Sequence, residues 1–128
     1  MLLVSISSKS RYRPILDSFL NEEYELCVTT DILLEYEEII GEQMGEGFAA
    51  YVLQLIENAP NVKWITKYYK WNLIAADVDD NKFVDCAIAS DAKFLVSDDK
   101  HFIALKQIPF PKVEVLTAKE FDEILNDH

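Results

Sequence analysis

Short apolar runs suited to strands alternate with helical stripes along the chain, and this alternation restricts the fold more than any other feature of the sequence. Leu2 to Ile6 is a short apolar run, and Tyr12, Ile15, Leu16, Phe19 and Leu20 then recur at helical spacing, with Pro14 suited to a first turn. Glu25 to Thr29 reads as a buried strand, and Thr30 with Asp31 opens a helix carrying Ile32, Tyr36, Ile39 and Ile40. Gly41 to Gly47 breaks that pattern before a second stripe of Phe48, Tyr51, Val52, Leu55 and Ile56, which ends at Asn58-Ala59-Pro60. Val62 to Trp71 is β-prone, Asp77 to Lys82 is a polar turn, Phe83 to Asp91 is helical and Phe94 to Ser97 is a buried strand. A turn and short helix from Asp99 to Leu105, a last strand at Val113 to Val115 and a closing helix from Thr117 to Leu125 complete the chain; Thr117 and Glu120 have capping-box spacing. Strands and helices in this order predict a parallel sheet covered on both faces, with ligands at the carboxyl ends of the strands.

A length of 128 residues fits one domain, and half of those residues are apolar, enough for a core without disulfides. Cys27 and Cys86 lie in apolar runs with no zinc-site spacing, so both read as buried free thiols. No run approaches a membrane span and no leader opens the sequence, which makes a reducing cytoplasm the expected location. The net charge of -11 argues against a broad basic surface for nucleic acid. It is compatible with an acidic pocket whose potential is inverted by divalent ions.

Seven aspartates fall between Asp77 and Asp99. Asp98 and Asp99 follow the strand Phe94 to Ser97, so one of them is placed to face the crevice, although an Asp-Asp pair also suits a simple turn. Asp85 is the only charged residue from Phe83 through Ser90. A buried carboxylate there needs a metal, a hydrogen-bonded role or a cation. Asp79, Asp80 and Asn81 can cap the helix that follows; Asn81 and Asp85, four apart, share one of its faces. Glu35 sits at the edge of a buried stripe, one turn into a helix that follows a strand. The run Lys67-Tyr68-Tyr69-Lys70-Trp71 can stack bases and meet phosphates, but reads first as a strand with its rings on the core. Lys9, Arg11 and Arg13 are a further basic group, expected to face solvent.

Three segments, in order, resemble the PIN-domain family, most closely its branch of toxins from toxin-antitoxin pairs. They are Thr29-Thr30-Asp31-Ile32-Leu33-Leu34-Glu35-Tyr36, Asp79-Asp80-Asn81-Lys82-Phe83-Val84-Asp85-Cys86-Ala87 and Phe94-Leu95-Val96-Ser97-Asp98-Asp99-Lys100-His101-Phe102. The resemblance covers essentially the whole chain and implies a single domain over 1–128, a three-layer α/β/α fold with a mostly parallel central sheet. It selects Asp99 over Asp98, assigns Glu35 as the conserved glutamate, and leaves Asp80 or Asp85 as the third acid, because Asn81 occupies the position where many relatives place it. Glu35, Asp85 and Asp99 are then the implied ligands of Mg2+ or Mn2+, with Asp80 as outer or alternative ligand, Ser97 orienting Asp99 and Lys100 beside the substrate. Such a site would activate water against an RNA phosphodiester. His101 is available as a proton shuttle that this chemistry does not require. An antitoxin peptide covering the acidic groove and a homodimer are the implied protein partners.

The family opens with a buried strand ending in Asp-Thr-Asn, and Met1-Leu2-Leu3 fits the residues just after that motif. The first acid and its strand are therefore expected to be absent, through a late start of the reading frame or in a shortened, inactive relative. A non-catalytic binding module that keeps the fold is the competing function. A phosphate-binding or response-regulator-like domain lacks its Gly-rich phosphate loop.

Overall fold

Five strands pair in parallel throughout. The computed structural model describes residues 1–8, 14–75 and 77–127. The strands are β1 (Leu3–Ile6), β2 (Glu25–Val28), β3 (Val62–Trp64), β4 (Phe94–Val96) and β5 (Val115–Leu116), in the spatial order β3-β2-β1-β4-β5. Parallel strands are buried on both faces and need crossover helices. Accordingly Val4, Cys27, Val28, Leu95 and Val96 are all fully buried. The helices are α1 (Pro14–Leu20), α2 (Thr30–Met44), α3 (Glu46–Asn58), α4 (Asn81–Ser90) and α5 (Ala118–Asn126). None is long and apolar enough to cross a membrane.

Side chains alternate across each strand. Ser5 Oγ donates to the Phe83 carbonyl of α4 at 3.1 Å, which puts α4 on one face of the sheet. Ile6 and Leu26 look to the other face, where they line an apolar groove with Ile15 of α1, Tyr36 of α2 and Val52 of α3. The closing helix joins that second layer, its Phe121 ring edge-on to Tyr24 at 5.0 Å.

Local chemistry fixes the helix ends. Thr29, one residue earlier than expected, caps α2 by accepting the Ile32 N–H. Gly45 divides α2 from α3 with φ of 93°, a conformation that favours glycine. The capping box expected at Thr117 and Glu120 is present at the start of α5.

The apolar run Leu2 to Ile6 forms a strand over Leu3–Ile6, the central one, paired with β2 through Leu3–Glu25 and with β4 through Ser5–Leu95. Ser7 and Ser8 follow it. One expectation is corrected here. The β-prone run Val62 to Trp71 pairs only as far as Trp64, and residues 65–75 have no regular structure. This stretch is a strap that leaves the sheet edge and returns to α4. Tyr12, Lys9, Arg11 and Arg13 lie outside the described residues.

Asn61 locks the entry to β3 onto the rest of the fold. Its buried amide donates to the carbonyls of Phe19 and Tyr24, each at 2.9 Å. Removing it leaves two buried acceptors without that donor, a cost of about 2–3 kcal/mol. Asn61→Ala is expected to lower the unfolding free energy by that amount, read as a lower urea midpoint at unchanged slope; an unfolding curve like that of the parent would show that water replaces the amide at no cost.

Candidate metal centre

All the sequence-predicted acids lie toward the carboxyl edge of the sheet, but they do not form one cluster. Asp77 to Asp80 is a tight turn: the Asp80 N–H reaches the Asp77 carbonyl at 3.1 Å, and the Asp77 carboxylate accepts the Asp79 N–H. In a 3-10 turn residues three apart eclipse each other. The Asp77 and Asp80 carboxylates therefore come to the same side.

Beyond β4 the chain enters a 3-10 helix, Lys100–Gln107, capped by Asp99, whose Oδ1 accepts the His101 N–H at 2.9 Å. The imidazole folds back over this cap. His101 Nδ1 is 3.4 Å from Asp99 Oδ1 and 3.4 Å from Asp80 Oδ2. Asp80 is only 2% exposed, so this carboxylate is committed to the interior rather than solvating a surface.

Asp77, Asp80 and His101 each place one ligand atom within 4.8 Å of the others. A six-coordinate ion with bonds of about 2.1 Å has ligand atoms at most about 4.2 Å apart, so a small contraction would suit it. Oxygen donors satisfy Mg2+ and Mn2+ alike, and an imidazole is better matched to the transition metal. The residues present fit a divalent ion.

The other expected residues have different partners. Asp98 Oδ1 accepts the Ala118 N–H at 3.0 Å and holds the start of α5, which leaves Asp99 to turn toward His101. Ser97 is buried and its Oγ accepts the Asp99 N–H at 3.1 Å, so it fixes the backbone from which Asp99 projects. Lys100, next in sequence, is exposed. Glu35 accepts from Ser8, at the end of β1, and pairs with Lys82 of α4 at 2.8 Å. Burial works against the Lys82 charge, but the hydrogen bond and charge of Glu35 outweigh it and raise the Lys82 pKa above its ordinary value.

Asp85 lies one turn farther along α4 and accepts the Trp71 N–H at 3.1 Å. Asn81, on the same face, makes a two-way bond with the Ile74 backbone at 2.8 and 3.0 Å. Together they pin the strap to α4. Glu35, Asp85 and Asp99 form no group at ligand spacing, whereas Asp77 and His101, which were not expected as ligands, do so with Asp80. The signal for Asp77 is its three-residue spacing from Asp80 in a turn; for His101 it is the position just inside an Asp-capped helix.

The parallel α/β sheet with its helical layers is consistent with a PIN-like α/β/α fold. The PIN-domain family model matches residues 1–101, and the chain belongs to that family, whose members are nucleases acting on RNA. No curated protein and no solved structure matches the sequence significantly.

Asp85 also supplies a pH signature. Burial raises its pKa above the usual carboxylate range, opposed by the Trp71 N–H and the Lys70 charge. A raised pKa means that the folded state binds the proton more tightly than the unfolded chain. Its contribution therefore favours folding below the ordinary carboxylate pKa and is lost as pH rises through the folded value. Asp85→Asn keeps an oxygen for Trp71 and removes the charge, so its Tm should exceed the parent's near pH 7. The gap should close toward about pH 3; a gap independent of pH would contradict this origin.

Proposed function

We propose that the chain is a metal-dependent ribonuclease that holds Mg2+ or Mn2+ at Asp77, Asp80 and His101, with Asp99 beside them. The observation that carries this reading is the buried Asp80 carboxylate meeting Asp77 and His101 at ligand spacing, at the sheet edge of a PIN domain. A bound ion would supply a water of lowered pKa and positive charge opposite the scissile phosphate. Asp80 and Asp77 provide the negative charge that retains it. His101 Nδ1, 3.4 Å from both Asp80 Oδ2 and Asp99 Oδ1, is the nitrogen that would face the ion. Asp99, with its backbone fixed by Ser97, keeps the imidazole in place. Glu35 has Lys82 as its counter-charge, and exposed Lys100, next to Asp99, is a cation for a substrate phosphate.

The likeness of the three segments around Glu35, Asp80 and Asp99 supports the finer assignment to a single-domain toxin of a toxin-antitoxin pair. It would be silenced by an antitoxin peptide over the acidic groove and would act as a homodimer in the cytoplasm, where the buried thiols Cys27 and Cys86 remain reduced.

The second reading is a non-catalytic binding module. Two observations favour it: Ser7 and Ser8, not carboxylates, stand at the end of the central strand, and Lys82 pairs with Glu35. Calorimetric titration with Mn2+ separates the two. A nuclease should show saturable binding that Asp80→Asn or Asp99→Asn weakens by at least about tenfold, and cleavage of single-stranded RNA that EDTA stops. Absence of saturable binding would establish the module.

A further inference from the structure

The strap that Asp85 and Asn81 pin to α4 carries an aromatic surface that the metal centre does not use. Tyr69 is 70% exposed, and its ring meets that of Trp71 edge-on at 4.8 Å. Trp71 in turn meets Phe110, which is 79% exposed, at 6.2 Å and nearly perpendicular. No ring is stacked flat on another, so flat faces remain for a ligand. Packing against the core, the expected role of this run, would have hidden them.

Charge gives the patch its direction. From Asn58 to Ala76 and from Lys100 to Val113 the sequence contains no Asp or Glu, although the chain has 23 of them. These two acid-free stretches supply all three rings. Lys67, Lys70 and Lys112 are exposed within them. Flat rings interleaved with cations match a single-stranded nucleic acid, whose bases stack while its phosphates meet lysines. A duplex hides its base faces and cannot use the rings in this way.

Position connects the patch to the acids. Trp71 is tied to Asp85 and Ile74 to Asn81, four residues apart on α4, a distance of about 6 Å along the axis. Asn81 directly follows Asp80. A strand crossing the acidic centre would thus reach the rings within a few nucleotides.

We infer that Tyr69, Trp71 and Phe110 form a stacking platform for unpaired bases of an RNA strand, with Lys67, Lys70 and Lys112 on its phosphates. This deepens the ribonuclease reading and rests on it for the substrate, yet platform binding requires no metal. The test is therefore run in EDTA at low salt, measuring anisotropy of a labelled single-stranded oligouridylate on the intact protein. Tyr69→Ala and Phe110→Ala should each weaken binding by about tenfold, Phe110→Tyr should retain it, and duplex RNA of similar length should bind much less tightly. Equal affinity for single strand and duplex, unchanged affinity in the alanine variants, or no RNA binding at all would overturn the platform and leave the rings as a protein contact. Cleavage that persists without ring-dependent binding would sink only the platform. Ring-dependent binding without metal-stimulated cleavage would sink only the nuclease.

Discussion

The parallel pairing of β1 with β4 is the constraint from which the candidate centre follows. Val4 lies opposite Phe94, Ser5 opposite Leu95 and Ile6 opposite Val96, and the Ser7 N–H continues the ladder to the Val96 carbonyl at 2.9 Å. Because both strands run the same way, Ser7 and Ser97 leave the sheet side by side. The crossover helix α4 must begin at that same edge, and Ser5 anchors it there through the Phe83 carbonyl. Asp80, just before α4, and Asp99, just after β4, are brought to the two sides of one imidazole by topology, although nineteen positions separate them.

The alternation of strands and helices was legible because each element is written in its own period; the larger departures are β3, which ends at Trp64, and α2, which runs on to Met44. Leu3 to Ile6 pairs as the central strand because pairing depends on backbone and apolar side chains, which this run supplies without an acid at its end. The run after Trp64 departs from its reading as a strand. Its aromatic residues have strand propensity, but such propensity reflects fit to a half-buried surface. Here the side chains of Asp85 and Asn81 on α4 offer acceptors and a donor to the strap's backbone at Trp71 and Ile74, and the chain follows those.

In the candidate centre, sequence reasoning located the neighbourhood but not the grouping. Asp99 was distinguished from Asp98 by pattern alone, and the structure gives Asp98 to the start of α5. Asp85 and Asn81 were correctly seen to share a face. That the face meets a strap is a tertiary fact that no local spacing encodes. Asp77 was passed over because turn aspartates so often cap, and it does cap: its carboxylate accepts the Asp79 N–H while also standing near Asp80.

The two-way bond between Asn81 and Ile74, with the Asp85 bond to Trp71, has an entropic consequence. Beyond Ile65, whose N–H reaches the Val28 carbonyl at 2.9 Å, residues 66–75 are in neither strand nor helix, and a free segment of that kind would have to be ordered by whatever bound it. Here the ordering cost is met when the protein folds, so little rotational freedom remains to be lost by the backbone that carries Tyr69 and Trp71. A ligand arriving at those rings would find them preorganised, and its affinity would report its own contacts rather than the cost of assembling the surface.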